Sequence, residues 1–293
     1  MQKGLLFMSH VYEPWGALAI SFLILSIFLL ALGIFIGTKI KDNDKTFSRI
    51  LLGFGILFLC FEFIHEYGRY QEFNSYDWSS FQFQICSVSM YLSLIVPFIK
   101  KGRVKKSFIM FIATFTTLSG ILPLVFAQGN LLRWPTLMGI LFSFVWHILL
   151  IFVGSITIGY IDLGRSFKKE YKYLIGTFVI FFAITCIAQL LNVSIHYLAP
   201  GFSVGENVIK EVGYIPNYEL DPDSVSLFYI SPYFKSNIPV VFDTVWLNYG
   251  WVACWGLYLL AFQFGAFLVY FVNFICKKIE FIILKKKNYI RIN

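Results

Sequence analysis

The chain has 293 residues, of which 58% are hydrophobic, 34 are Phe and only 14% are charged, against about a quarter in an average soluble domain. With a mean hydropathy of +0.72, this excludes a soluble globular protein and predicts an all-α integral membrane protein. The net charge of +8 would favour nucleic acid in a soluble protein, but here the basic residues cluster between apolar runs, where they report topology.

Seven runs are long enough to span, at about 20 residues each. They lie near Trp15–Gly37, Ile50–Tyr70, Ser80–Ile99, Ser107–Ala127, Thr136–Ile158, Tyr173–Asn192 and Trp246–Cys276, predicting a seven-transmembrane helix bundle. The first run is long and is followed by its positive charges, so it reads as a span and not a cleavable leader. Segments 38–49, 100–106 and 159–172, with the tail from Lys277, hold 19 of the 24 Lys and Arg. The positive-inside rule then puts the N-terminus outside and the C-terminus in the cytoplasm, as an odd span count requires. Trp15, Trp78, Trp134, Trp246 and Trp251 fall at the outer ends, as an aromatic belt would. The expected organisation is a transmembrane domain over 1–276 and a basic cytoplasmic tail over 277–293. That tail reads as an amphipathic segment at the inner headgroups. The one long connection, 193–245, is an outer loop with six acidic residues and several aromatic clusters, either a packed lid or an insertion.

Polar groups in hydrocarbon need partners, so they face a bundle interior or a wet cavity. The stretch Phe81–Pro97 opens with Gln82, Gln84, Cys86, Ser87 and Ser89 where a lipid-facing helix would carry Leu or Val. In the second span Glu62, His65, Glu66 and Arg69 line one face at i, i+3, i+4 and i+7; they form either a surface charge cluster or a functional set. Glu62 lies too deep for a surface cluster. In the fifth span His147 has no charged residue within ten positions. Gln189 and Asn192 in the sixth span, with Asp243 and Asn248 around the start of the seventh, read as helix-packing contacts. All of these but His147 fall in the outer half, so a site would open outward. Cys60, Cys186, Cys254 and Cys276 lack such neighbours and read as small apolar residues.

At Gln84-Ile-Cys86-Ser87-Val-Ser89-Met90, followed 61 residues after the cysteine by His147, the chain resembles the YwaF-like group of bacterial integral membrane proteins. That group has a eukaryotic branch that includes a phospholipid-remodelling acyltransferase. The resemblance runs from about Glu62 to Asn192 and again from Phe242-Asp243 through Trp251. It implies a nucleophile at Cys86 and a base at His147. Gln82 stands where the family pattern commonly has Pro, and Gln84 where it often has His. The expectation is a Cys/His acyltransferase moving an acyl chain between lipids at the outer leaflet of the cell membrane. Glu62, His65, Gln84, Gln189 and Asn192 would be supporting polar groups. Phospholipid or lysophospholipid would be the substrate, with no nucleic acid, metal or other cofactor.

Two other classes compete. A transporter or lipid-binding protein would use Glu62 and His65 as a proton-coupled or ligand-pairing pair, but it calls for polar exits on both sides or repeated halves. A zinc hydrolase would use His65, His147 and Cys86 or Glu62, yet no span carries the HxxxH or HExxH pair typical of such sites.

Overall fold

The computed structural model describes residues 14–73, 83–126, 128–131, 137–198 and 240–292. Among them there is no strand, and nearly all are helical. The helices are α1 (Ala17–Lys39), α2 (Asp44–Phe73), α3 (Ile85–Ile95, ending in a 3-10 turn Val96–Phe98), α4 (Arg103–Phe111), α5 (Thr117–Phe126), the single turn α6 (Gln128–Leu131), α7 (Leu137–Ile161), α8 (Phe167–Leu198) and α9 (Val240–Ile292). A π-helical turn, Ile112–Thr116, fuses α4 and α5 into one rod.

Six of these rods are long and apolar enough to cross a membrane, and the apolar helix Ile85–Phe98 is shorter. Its rise is only about 21 Å at 1.5 Å per residue, against roughly 30 Å of hydrocarbon. Large apolar side chains such as Ile24, Ile27, Phe28 and Phe63 stand more than 60% exposed, which fits a lipid surrounding and not water. The chain is therefore a multi-pass membrane protein.

The α4–α5 rod and α7 are enclosed on most of their surface, and the other helices surround them. Small residues set the closest crossings. On α1, Ala19, Ser26, Gly33 and Gly37 form its buried stripe. Gly33 and Gly37 meet Ser155 and Gly159 of α7 so tightly that an added Cβ would collide with Ser155 Oγ or the Ile156 carbonyl. Gly154 of α7 rests on Thr117, Gly55 of α2 on Leu94 of α3, Gly176 of α8 on Ser107 of α4, and Gly265 of α9 on Leu118 of α5. The aromatic core includes Phe58 against Trp146 and Phe181 against Phe115, Tyr258 and Phe262.

One end of the bundle is held by ion pairs. Asp162, in the α7–α8 turn, accepts from Lys41 at 2.8 Å, Lys277 at 2.9 Å and Arg165 at 3.0 Å. Asp44 accepts from Tyr160 Oη at 2.9 Å and pairs with Lys101 at 3.2 Å and Lys105 at 3.8 Å. These bonds gather the four basic clusters of the sequence at a single end, termed the basic end. Burial alone would raise the Asp162 carboxyl, but hydrogen bonds from Lys41 and Lys277 outweigh it and hold the group well below the usual carboxylate range.

Two boundaries differ from expectation. Among the described residues of the third apolar run, expected to be helical from Ser80, helix begins at Ile85, after an extended Gln84. The last helix does not stop at Cys276. It runs to Ile292, with a break at Gly250, whose φ of 82° a β-carbon would resist. Of the long connection, residues 199–239 lie outside the described residues, as do Trp78 and Trp134.

Candidate functional site

Starting α3 at Ile85 puts Cys86 in its first turn. Gln84 is the N-cap residue, and its carbonyl accepts the Ser87 and Val88 N–H groups at 2.9 and 3.1 Å. Cys86 is half-buried, its sulfur 3.9 Å from Ser87 Oγ. A helix N-terminus presents backbone N–H groups and the positive end of its dipole to negative charge forming beside it. Two turns of α3 carry hydroxyls on the same face: Ser89, bonded to Thr116 of the π-helical turn at 2.7 Å, and Ser93, fully buried.

His147 lies ten residues into α7. Its Nδ1 donates to the Ser143 carbonyl at 2.7 Å, since a carbonyl only accepts. That bond fixes the tautomer and leaves Nε2 with its lone pair, the form a general base requires. His147 is half-buried, and Gly120 of α5 abuts its backbone carbonyl, where an added Cβ would approach to 2.7 Å.

The interhelical contacts fix relative heights. Ser89 touches Thr116, and Cys86 lies three residues, about 4.5 Å, from Ser89 away from the basic end. Gly120 lies four residues, about 6 Å, from Thr116 in the same direction. Cys86 and His147 therefore stand at one height to within about 1.5 Å. Both sit on helices that pack against the Thr116–Gly120 face of the central rod. From the Gly55–Leu94 contact, Glu62 of α2 comes within about 1.5 Å of the height of Cys86, and so within about 3 Å of that of His147. Among the described residues no hydrogen bond joins Cys86 to His147. Such bonds commonly tighten only when substrate binds.

Farther from the basic end on α2, His65 is buried and stacks on Phe142 of α7, with ring centroids 4.2 Å apart. Its Nδ1 lies 3.6 Å from Glu66 Oε1. The ligand atoms of Glu62, His65 and Glu66 all fall within 4.8 Å of one another, an arrangement able to take a cation. Neither Cys86 nor His147 joins such a group among the described residues, so the zinc set of the third sequence reading is not gathered. Gln189 and Asn192, on one face of α8, are both buried, Asn192 completely. Counting from the Gly176–Ser107 contact, Gln189 also reaches the height of Gly120. Asn248 is exposed just before the break at Gly250.

Comparison with known families decides the membership. The TMEM164 family pattern matches residues 7–220, most of the chain. The chain belongs to the TMEM164 family. No curated protein and no solved structure matches it. The matched segment contains α1 to α8, hence Glu62, Cys86, His147, Gln189 and Asn192, whereas α9 lies outside it. The YwaF-like resemblance and its acyltransferase branch are not part of the match.

Sequence reasoning passed over the Ser89–Thr116 bond and the Ser143 carbonyl. The first had a signal: Thr114, Thr116, Thr117, Ser119 and Gly120 break an apolar run just as the α3 hydroxyls do. The second is a backbone atom, and no residue type announces it.

Proposed function

We propose that this TMEM164-family chain is a lipid acyltransferase in which Cys86 is the nucleophile and His147 the base. The observation that carries this reading is the shared height of Cys86 and His147 on the central rod, with the Nε2 lone pair of His147 uncommitted. The resemblance of the Cys86 stretch to the YwaF-like group and its acyltransferase branch supports the same roles.

In the first half-reaction the Cys86 sulfur attacks the ester carbonyl of a phospholipid as Nε2 of His147 takes the thiol proton. The carbonyl oxygen becomes an oxyanion at the N-terminal turn of α3, where backbone N–H groups and Gln84 are the nearest donors, with Asn192 a further one. The C–O bond to the glycerol oxygen then breaks. His147 returns the proton to that oxygen, releasing the lysolipid and leaving an acyl thioester. A hydroxyl or amine of a second lipid gives its proton to His147, attacks the thioester and restores the Cys86 thiol. Glu62, near the same height, and His65 beside it set the charge around the sulfur and the ring.

In this reading the short α3 is the third of seven spans. The positive-inside rule places the basic end in the cytoplasm, the N-terminus outside and the site toward the outer leaflet of the cell membrane. The seam of buried hydroxyls, Ser87, Ser89, Ser93, Thr114 and Thr116, favours a second reading, a lipid-binding or transport protein without covalent chemistry. Purified protein in vesicles, given a labelled phospholipid donor and an unlabelled lysolipid acceptor, separates the two. The proposal expects acyl exchange that disappears in Cys86→Ala and falls at least a hundredfold in His147→Ala, the usual scale of general-base catalysis. Exchange that persists in Cys86→Ala would overturn it.

A further inference from the structure

Helix α9 continues far beyond the bundle that holds it. From the break at Gly250 to Ile292 it rises about 63 Å, twice the thickness of the hydrocarbon. Its height is fixed at the basic end in two places. Lys277 bonds to Asp162, and Gly164 of the same turn lies against the backbone of Asn273 and Phe274. Beyond Lys277 the helix passes the ends of α1 and α7, which stop at Lys39 and Ile161.

This projecting part has an unusual surface. Ile279, Phe281, Ile282, Ile283 and Leu284 are each more than half exposed. At 100° per residue they cover every side of the helix, so no single stripe is turned to the bundle. Six basic residues, Lys277, Lys278, Lys285, Lys286, Lys287 and Arg291, flank or follow them against one acidic residue, Glu280. An apolar turn of this kind left in water is unfavourable and must be covered. Pairing with a second copy would bring two strongly basic segments together, and their repulsion opposes it. A surface that is apolar below and negative above meets both demands.

We infer that the segment Lys278–Arg291 is a docking element for the anionic lipid headgroups of the protein's own membrane, with its apolar turn sunk to the acyl boundary and its lysines on the phosphates. The Lys277–Asp162 pair fixes the start of this segment at the basic end of the bundle. This goes beyond the proposed acyl transfer and stands independently of it, since the segment lies outside the matched family region and at the opposite end of the bundle from Cys86.

Hydrogen exchange of the full chain in nanodiscs tests this, comparing phosphatidylcholine alone with a phosphatidylcholine–phosphatidylglycerol mixture. The expected result is exchange of the 278–291 amides slowed about tenfold by the anionic lipid, each lysine near such a surface contributing roughly fivefold in affinity. The slowing should disappear at high salt, and in the triple substitution Lys285→Gln, Lys286→Gln, Lys287→Gln with exchange in α7 unchanged. Equal exchange in the two lipid compositions would overturn the inference. So would protection that rises with protein density in neutral lipid and is accompanied by cross-links between copies, which would identify a second chain as the occupant.

Discussion

The chemistry proposed for Cys86 and His147 depends on which side chains the neighbours leave uncommitted. Cys86 was legible because a thiol and four other polar groups interrupt an apolar run, and His147 because it is the lone ionisable group of its span. Their common height was not legible, because it depends on where α3 starts and on contacts of Thr116 and Gly120, which residue spacing does not reveal. Two neighbouring serines give a contrast that checks the packing. Ser89 is bonded to Thr116, so Ser89→Ala strands a buried hydroxyl and is expected to cost about 1–3 kcal/mol. The Ser93 Oγ has no hydrogen-bond partner among the described residues, so Ser93→Ala is expected to be neutral or mildly stabilising. Thermal melting of both variants in one detergent checks this; equal losses would contradict it. Gly120→Val places new atoms against the His147 carbonyl and Ile151, so it is expected to cost about 1–3 kcal/mol and to shift the His147 ring. Melting beside the acyl-exchange assay reads both effects.

For whole helices the apolar runs were nearly sufficient. Hydropathy located each long helix, because in lipid every backbone group must be bonded within its own segment and no other element competes. Helix starts were less legible. Gln84 is as compatible with a helical turn as with the extended entry seen there, so residue type did not reveal the start of α3 at Ile85. The π-helical turn at Ile112–Thr116 leaves no trace in residue type at all. The small residues of α1 were visible but assigned no role, although they fix its place on α7. Gly37→Leu is accordingly expected to separate α1 from α7, because its Cβ would strike the Ile156 carbonyl. A cysteine pair introduced across α1 and α7 should cross-link readily in the parent chain and fail to in Gly37→Leu. Unchanged cross-linking would contradict the crossing.

For the molecule as a whole, the ion pairs of the basic end join segments far apart in sequence. Charge counting foresaw that the four basic clusters share a side; it did not foresee that Asp162 and Asp44 would gather them. Because the folded-state pKa of Asp162 lies below its unfolded value of about 4, its contribution is fully present above that pH and is lost as pH falls below it. Melting temperature should therefore fall on acidification below about pH 4, and by less in Asp162→Asn, which has no such carboxylate to protonate. An equal acid loss in Asp162→Asn would locate the effect elsewhere. At the opposite end, the height shared by Cys86 and His147 is the feature on which the functional reading depends. Mass spectrometry of the intact and the digested protein after incubation with a labelled phospholipid examines it most directly, in wild type beside Cys86→Ser and His147→Ala. The expected result is one hydroxylamine-sensitive acyl group on the Cys86 peptide of wild type, absent as a thioester in Cys86→Ser and slow to form in His147→Ala. Acyl exchange between lipids with no acyl group on Cys86, even on rapid quenching, would contradict covalent transfer through this residue.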